Sequence, residues 1–139
     1  MKTIFYFLIF VVTLGCKETH IPAPLLKPLV GKWRLVANEY LENGQKIWRN
    51  AGKQSYVISF RFDGVILQED DLPVCCGPIS LNINGENYKI TPQENLPVNP
   101  TCFLVDCIGC DVWDIALTDD SFILDVCKIG ARSKFERVP

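Results

Sequence analysis

Histidine is almost missing from this chain: His20 is its only one, and it stands ahead of the region of regular patterning. The remainder therefore lacks both the usual general base and the commonest metal ligand. No glycine-rich phosphate loop and no nucleophile elbow is present. Basic residues are scattered and the formal net charge is −2, which argues against a nucleic-acid footprint. After the first residues no run is long and apolar enough to cross a bilayer, and no stretch carries a sustained helical stripe. One acidic cluster stands out, Glu69-Asp70-Asp71, but it lacks the Asp-x-Asp-Gly setting of a calcium loop and reads as a solvated turn. The expectation is a non-enzymatic protein with no metal, no cofactor and no nucleic-acid partner.

What is there begins with Ile4-Phe5-Tyr6-Phe7-Leu8-Ile9-Phe10-Val11-Val12, a run too short to span and too apolar for a free tail, preceded by Lys2. It has the build of a signal peptide's apolar region. The run closes on Thr13-Leu14-Gly15-Cys16, and the small Gly15 before a cysteine resembles a bacterial lipoprotein signal, with Thr13 departing from the aliphatic residue usual there. That resemblance implies cleavage after residue 15, diacylglycerol on Cys16, and a membrane contact made only through the lipid. It places the protein in the bacterial cell envelope, anchored to the outer membrane and facing periplasm or cell surface. Residues 16–28, with Pro22, Pro24 and Pro28, read as an extended tether, and residues 29–139 as one domain. That size buries a core without a partner, so a monomer is expected.

Six further cysteines, Cys75, Cys76, Cys102, Cys107, Cys110 and Cys127, form an even set in a chain that leaves the reducing cytoplasm. Structural disulfides are the leading reading. Cys107-Ile108-Gly109-Cys110 also has the spacing of a zinc knuckle or a redox pair, although the latter lacks its βαβ context. Adjacent Cys75 and Cys76 should have different partners, since bridging neighbours strains the peptide between them.

From Leu29 onward the pattern is period two, with turn residues at intervals, as in an all-β sandwich or barrel. Strands are expected over Lys32 to Leu41, Tyr56 to Phe62, Val65 to Glu69, Ile79 to Ile83, Asn87 to Thr91, Trp113 to Leu117, Phe122 to Val126 and Arg132 to Val138. Asp63-Gly64, Asn84-Gly85 and Asp119-Asp120 mark tight turns. Eight antiparallel strands in simple succession avoid bare edges by closing into an up-and-down barrel. The short turns then fall at one end, and the loops 42–53, 70–78, 92–110 and 127–131, holding all six cysteines, fall at the other.

Gly31-Lys32-Trp33, the Phe60-Arg61-Phe62-Asp63-Gly64 hairpin and Lys134-Phe135-Glu136-Arg137-Val138 together resemble the lipocalin-like lipoproteins of Bacteroidetes-type bacteria. The resemblance implies an eight-stranded barrel closed at the bottom by Gly31 and Trp33, with a last-strand arginine over the tryptophan. Arg137 is the natural choice and Arg132 the competitor. Alternation points Tyr56, Ile58, Phe60, Phe62, Leu81, Ile83, Trp113, Ile115 and Phe135 inward. These side chains either line a site for a small apolar or lipid-like ligand or fill the barrel, which at eight strands is just wide enough for one or the other. The alternative function is a surface interaction protein contacting a protein or glycan through stapled loops that carry Trp48 and Phe103.

Overall fold

The computed structural model describes residues 22–107 and 109–139. The signal-like run, Cys16 and His20 lie outside the described residues. The described residues form nine strands, most of them where period-two alternation runs: β1 (Gly31–Glu42), β2 (Gln45–Asn50), β3 (Val57–Phe60), β4 (Ile66–Leu67), β5 (Ser80–Ile83), β6 (Glu86–Lys89), β7 (Val112–Leu117), β8 (Ser121–Val126) and β9 (Arg132–Arg137). They form one curled, half-barrel sheet in the order β4-β3-β1-β9-β8-β7-β5-β6, with β2 paired to β1 beyond β3.

β1 organises this sheet. One edge pairs first with β3, Trp33 opposite Ile58, and then with β2, Glu39 opposite Trp48; the other edge pairs with β9, Trp33 opposite Arg137. A bulge between Leu35 and Ala37 shifts the β9 register. β2 falls inside the expected 42–53 loop. Its sequence Gln-Lys-Ile-Trp-Arg-Asn shows no apolar alternation, because it is a ribbon arm held by β1 and exposed along its length except for a half-buried Ile47.

The expected simple up-and-down succession is corrected at one point: β5 pairs with β7, and in parallel, Leu81 opposite Trp113 and Ile83 opposite Ile115. β6 thereby becomes an edge. The composition explains the exchange, since β5 presents buried Leu81 and Ile83 to the core, whereas Glu86-Asn87-Tyr88-Lys89 has a single half-buried residue. A polar strand suits an edge and an apolar one an interior position. Residues 90–111 are long enough to carry the chain across β5 to its other side.

β4 and β6, at the two ends of the path, are joined by no ladder among the described residues. Side chains and disulfides cross the gap instead. Asp63 accepts from the Gln93 N–H at 2.9 Å, Arg61 meets Glu94 at 3.3 Å, and Asn99 Nδ2 donates to the Pro73 carbonyl at 2.8 Å.

The turns at 61–64, 84–85 and 118–121 lie together at one end, the turn end, beside Gly31 and Arg137; this follows from the pairing of Gly31 with Phe60, Ser121 with Glu136, and Ile83 with Ile115. All six cysteines gather at the opposite, loop end. The bridges are Cys75–Cys102, Cys76–Cys107 and Cys110–Cys127, so the neighbours Cys75 and Cys76 do have different partners.

The described part of the expected tether belongs to the fold. Residues 23–30 turn on Leu26 N–H to Ala23 O at 2.9 Å and Leu29 N–H to Leu26 O at 2.8 Å, and they insert Leu26 and Leu29 fully into the core. Two leucines spaced for one face of a turn outweigh the extended bias of the prolines once an open apolar end of the sheet waits for them.

Candidate functional site

The interior divides into two levels. At the turn end an aromatic cluster is solid: Trp33 meets Phe122 edge-on at 5.0 Å between ring centroids, Phe122 stacks on Phe135 at 4.9 Å, and Phe60 meets Phe122 at 5.8 Å. Trp33 is wholly buried, and its indole N–H donates to the Leu29 carbonyl at 2.7 Å. The Arg137 guanidinium lies 4.1 Å from the Trp33 ring centroid and donates to the carbonyls of Val30, at 3.2 Å, and Pro28. Gly31 leaves room for it, since a Cβ there would stand 3.2 Å from an Arg137 nitrogen. Arg132, the competitor, is engaged elsewhere: its Nε donates to Glu39 at 2.8 Å, and the guanidinium sits 5.7 Å from the Trp48 ring. Those hydrogen bonds, outweighing the effect of burial, hold the Glu39 carboxyl below the usual carboxylate range.

Toward the loop end the packing opens into a cavity of about 610 Å³. Tyr56, Val57, Ile58, Trp113 and Leu124 line it from the sheet, Val74, Cys75, Thr101 and Val105 from the stapled loops, and Gln68, Glu69 and Asp70 at the rim. Tyr56 also touches the solid level, edge-on to Phe135 at 5.9 Å, and burial pushes its phenol up, so the hydroxyl stays neutral at physiological pH. The indole N–H of Trp113, one of the lining residues, is buried without a hydrogen-bond partner among the described residues. Thr101 is spoken for as well, donating to Asn99 Oδ1 at 2.7 Å. The cavity's walls are thus largely apolar apart from the Tyr56 hydroxyl, and its charged side chains, Glu69 and Asp70, are at the rim.

Of the residues expected to form a lining, the structure brings Tyr56, Ile58 and Trp113 together around this space. Phe60, Ile115 and Phe135 point inward but are packed out, each no more than 2 % exposed, as are Leu81 and Ile83. Phe62 is in the turn after β3, 5.6 Å from the Arg61 guanidinium, outside the cavity. The chain turns there because Asp63 collects donors from Arg61 Nε at 3.0 Å and from Val65 N–H at 3.3 Å. Leu124, a wall residue outside the expected lining, shares the alternation of Phe122, Leu124 and Val126 on β8. Val74, Cys75, Thr101 and Val105 carry no periodic signal, because long-range links, the two disulfides and the Asn99–Pro73 hydrogen bond, join their loops.

Comparison with family models, with curated proteins and with solved structures finds no match to this chain.

Proposed function

We propose that this is a lipid-anchored envelope protein that binds a small apolar molecule in the cavity at its loop end, without catalysing a reaction. The observation that carries the reading is the cavity itself, about 610 Å³ walled by Tyr56, Ile58, Trp113 and Leu124, which falls in the range of small-molecule pockets. Gly31, Trp33 and Arg137 at the turn end support kinship with lipocalin-like lipoproteins, in a variant whose β5–β6 hairpin is reversed and whose seam is stapled. Cys16 would carry the lipid. β1 begins at the turn end, so the cavity would open away from the bilayer. Metabolic labelling with a fatty-acid analogue tests the anchor: labelling should vanish in Cys16→Ala, and persistence would remove Cys16 as the site.

Binding is read by native mass spectrometry of protein from its own envelope, and by titration with a neutral, environment-sensitive apolar probe whose own emission is followed. We expect a bound adduct and saturable probe binding. Val105→Trp should weaken the probe at least about tenfold, by filling space in a largely apolar pocket, with the urea midpoint little changed because Val105 is 47 % exposed. No adduct and no probe binding would overturn the reading. Phe103 and Leu104, 80 % and 88 % exposed on the stapled 3-10 turn Pro100–Leu104, favour a second reading in which that end contacts a protein or glycan.

A further inference from the structure

The rim of the cavity has one sign of charge. The exposed Glu69 and Asp70 are among the lining residues, and no Lys, Arg or His is. Among the described residues neither carboxylate has an ion pair within 4 Å; Asp70 accepts only from the Leu72 N–H at 3.1 Å. Lys32 and Arg34 line an adjoining groove that shares Val57, Gln68 and Glu69 with the cavity, but neither cation is in the cavity lining. Two aromatic residues, the partly buried Trp113 and the half-exposed Tyr56, are among the lining. An anionic headgroup would therefore meet two like charges and no cationic side chain in the lining, only the uncharged donors of Tyr56 and Gln68, whereas an ammonium would meet two carboxylates beside aromatic residues.

From this we infer that the cavity takes amphiphiles whose polar end is cationic, and discriminates against fatty acids and other anionic lipids. The inference rests on the ligand-binding reading and specifies its ligand class. Interior contacts would select for apolar bulk, and the rim for charge.

The test uses the soluble mature domain with its disulfides intact and a neutral fluorescent probe. An alkylamine, an alcohol and a carboxylic acid of one chain length compete for that probe near neutral pH, below their micelle concentrations. The amine should bind most tightly and the acid most weakly, with an amine-to-acid ratio of about tenfold or more, as expected for two partly screened charges. The ratio should shrink at high salt. The double variant Glu69→Gln with Asp70→Asn should bring the ratio close to one, by weakening the amine and strengthening the acid, with the alcohol measured alongside as the uncharged reference. If the probe binds but the acid equals or exceeds the amine, or the double variant leaves the ratio intact, the charge inference is overturned and the ligand reading stands. If the probe itself does not bind, both fall.

Discussion

Arg132 and Arg137 share the last strand, yet one serves the outer face and the other seals the base. Alternation already parts them, since Arg137 shares a face with the buried Phe135 and Arg132 lies on the opposite one; the register against β1 then sets Arg137 opposite Trp33, and Arg132 reaches Glu39. Asp63 is the other residue whose surroundings decide its role. It is fully buried, and although burial alone would raise its carboxyl, the Arg61 guanidinium and the N–H groups of Gln93 and Val65 outweigh that and hold it below its ordinary range. A carboxyl depressed in the folded state contributes stability above its unfolded value, about 3.9, and loses that contribution as pH falls through the folded value. Glu39 is depressed in the same sense by Arg132 and adds to the same acid window. Asp63→Asn should therefore cost about 2–3 kcal/mol at neutral pH, from lost charge-assisted hydrogen bonds. It should also flatten the fall in stability below about pH 4. Urea midpoints measured across that range check both, and an unchanged acid slope would show that Asp63 is not a source of the acid sensitivity.

At the scale of elements, the turn between β3 and β4 does two things at once. Gly64 has φ +86°, in the left-handed region, and a Cβ there would stand 3.0 Å from a Tyr88 ring carbon on β6. The same residue thus completes a tight turn and lets the ends of the sheet approach. Gly64→Ala should cost about 1–3 kcal/mol, combining the conformational penalty with a forced shift of Tyr88. Chemical denaturation measures the loss, and the Tyr88 ring resonances should move while those of Trp48, on the distant β2 arm, should not. A loss below a few tenths of a kcal/mol would mean that β6 is not held against this turn. The β5–β6 hairpin shows the limit of local signals: Asn84-Gly85 specifies the turn, with both residues at positive φ, but not which of its strands faces inward.

For the whole molecule, the seam between β4 and β6 makes the disulfides structural parts of the cavity. Cys75–Cys102 and Cys76–Cys107 join residues 27 and 31 apart in sequence, tying the loop after β4 to the crossover after β6. Closing loops of that length contributes about 2–4 kcal/mol each where native strain is small. Replacing Cys75 and Cys102 together by serine should lose an amount in that range. Amide exchange should rise over residues 68–79 and 90–107 while the level around Trp33 stays protected, and probe binding should weaken. Peptide mapping without reduction should return the three pairs; free thiols at most positions, or stoichiometric zinc, would defeat the disulfide assignment. Uniform exchange across the molecule in the serine variant would mean that the two levels of the interior unfold as one.

The sequence by itself determined the strand class, most strand positions, the turn sites and the gathering of six cysteines at one end, because these depend on period two, on residues that accept positive φ, and on the alternation of short and long connections. It also marked Trp33, Arg137 and three of the cavity's wall residues. Only the tertiary structure decided that β5, not β6, joins β7, since that choice compares the burial of two whole strands across a long crossover. Only it separated the packed Phe60, Ile115 and Phe135 from the cavity-lining Tyr56, Ile58 and Trp113: all six point inward, and depth along the curled sheet has no counterpart in local sequence. The loop side chains of the cavity were likewise beyond reach of periodicity, because cross-links between distant residues, and not local backbone preference, hold them over the opening.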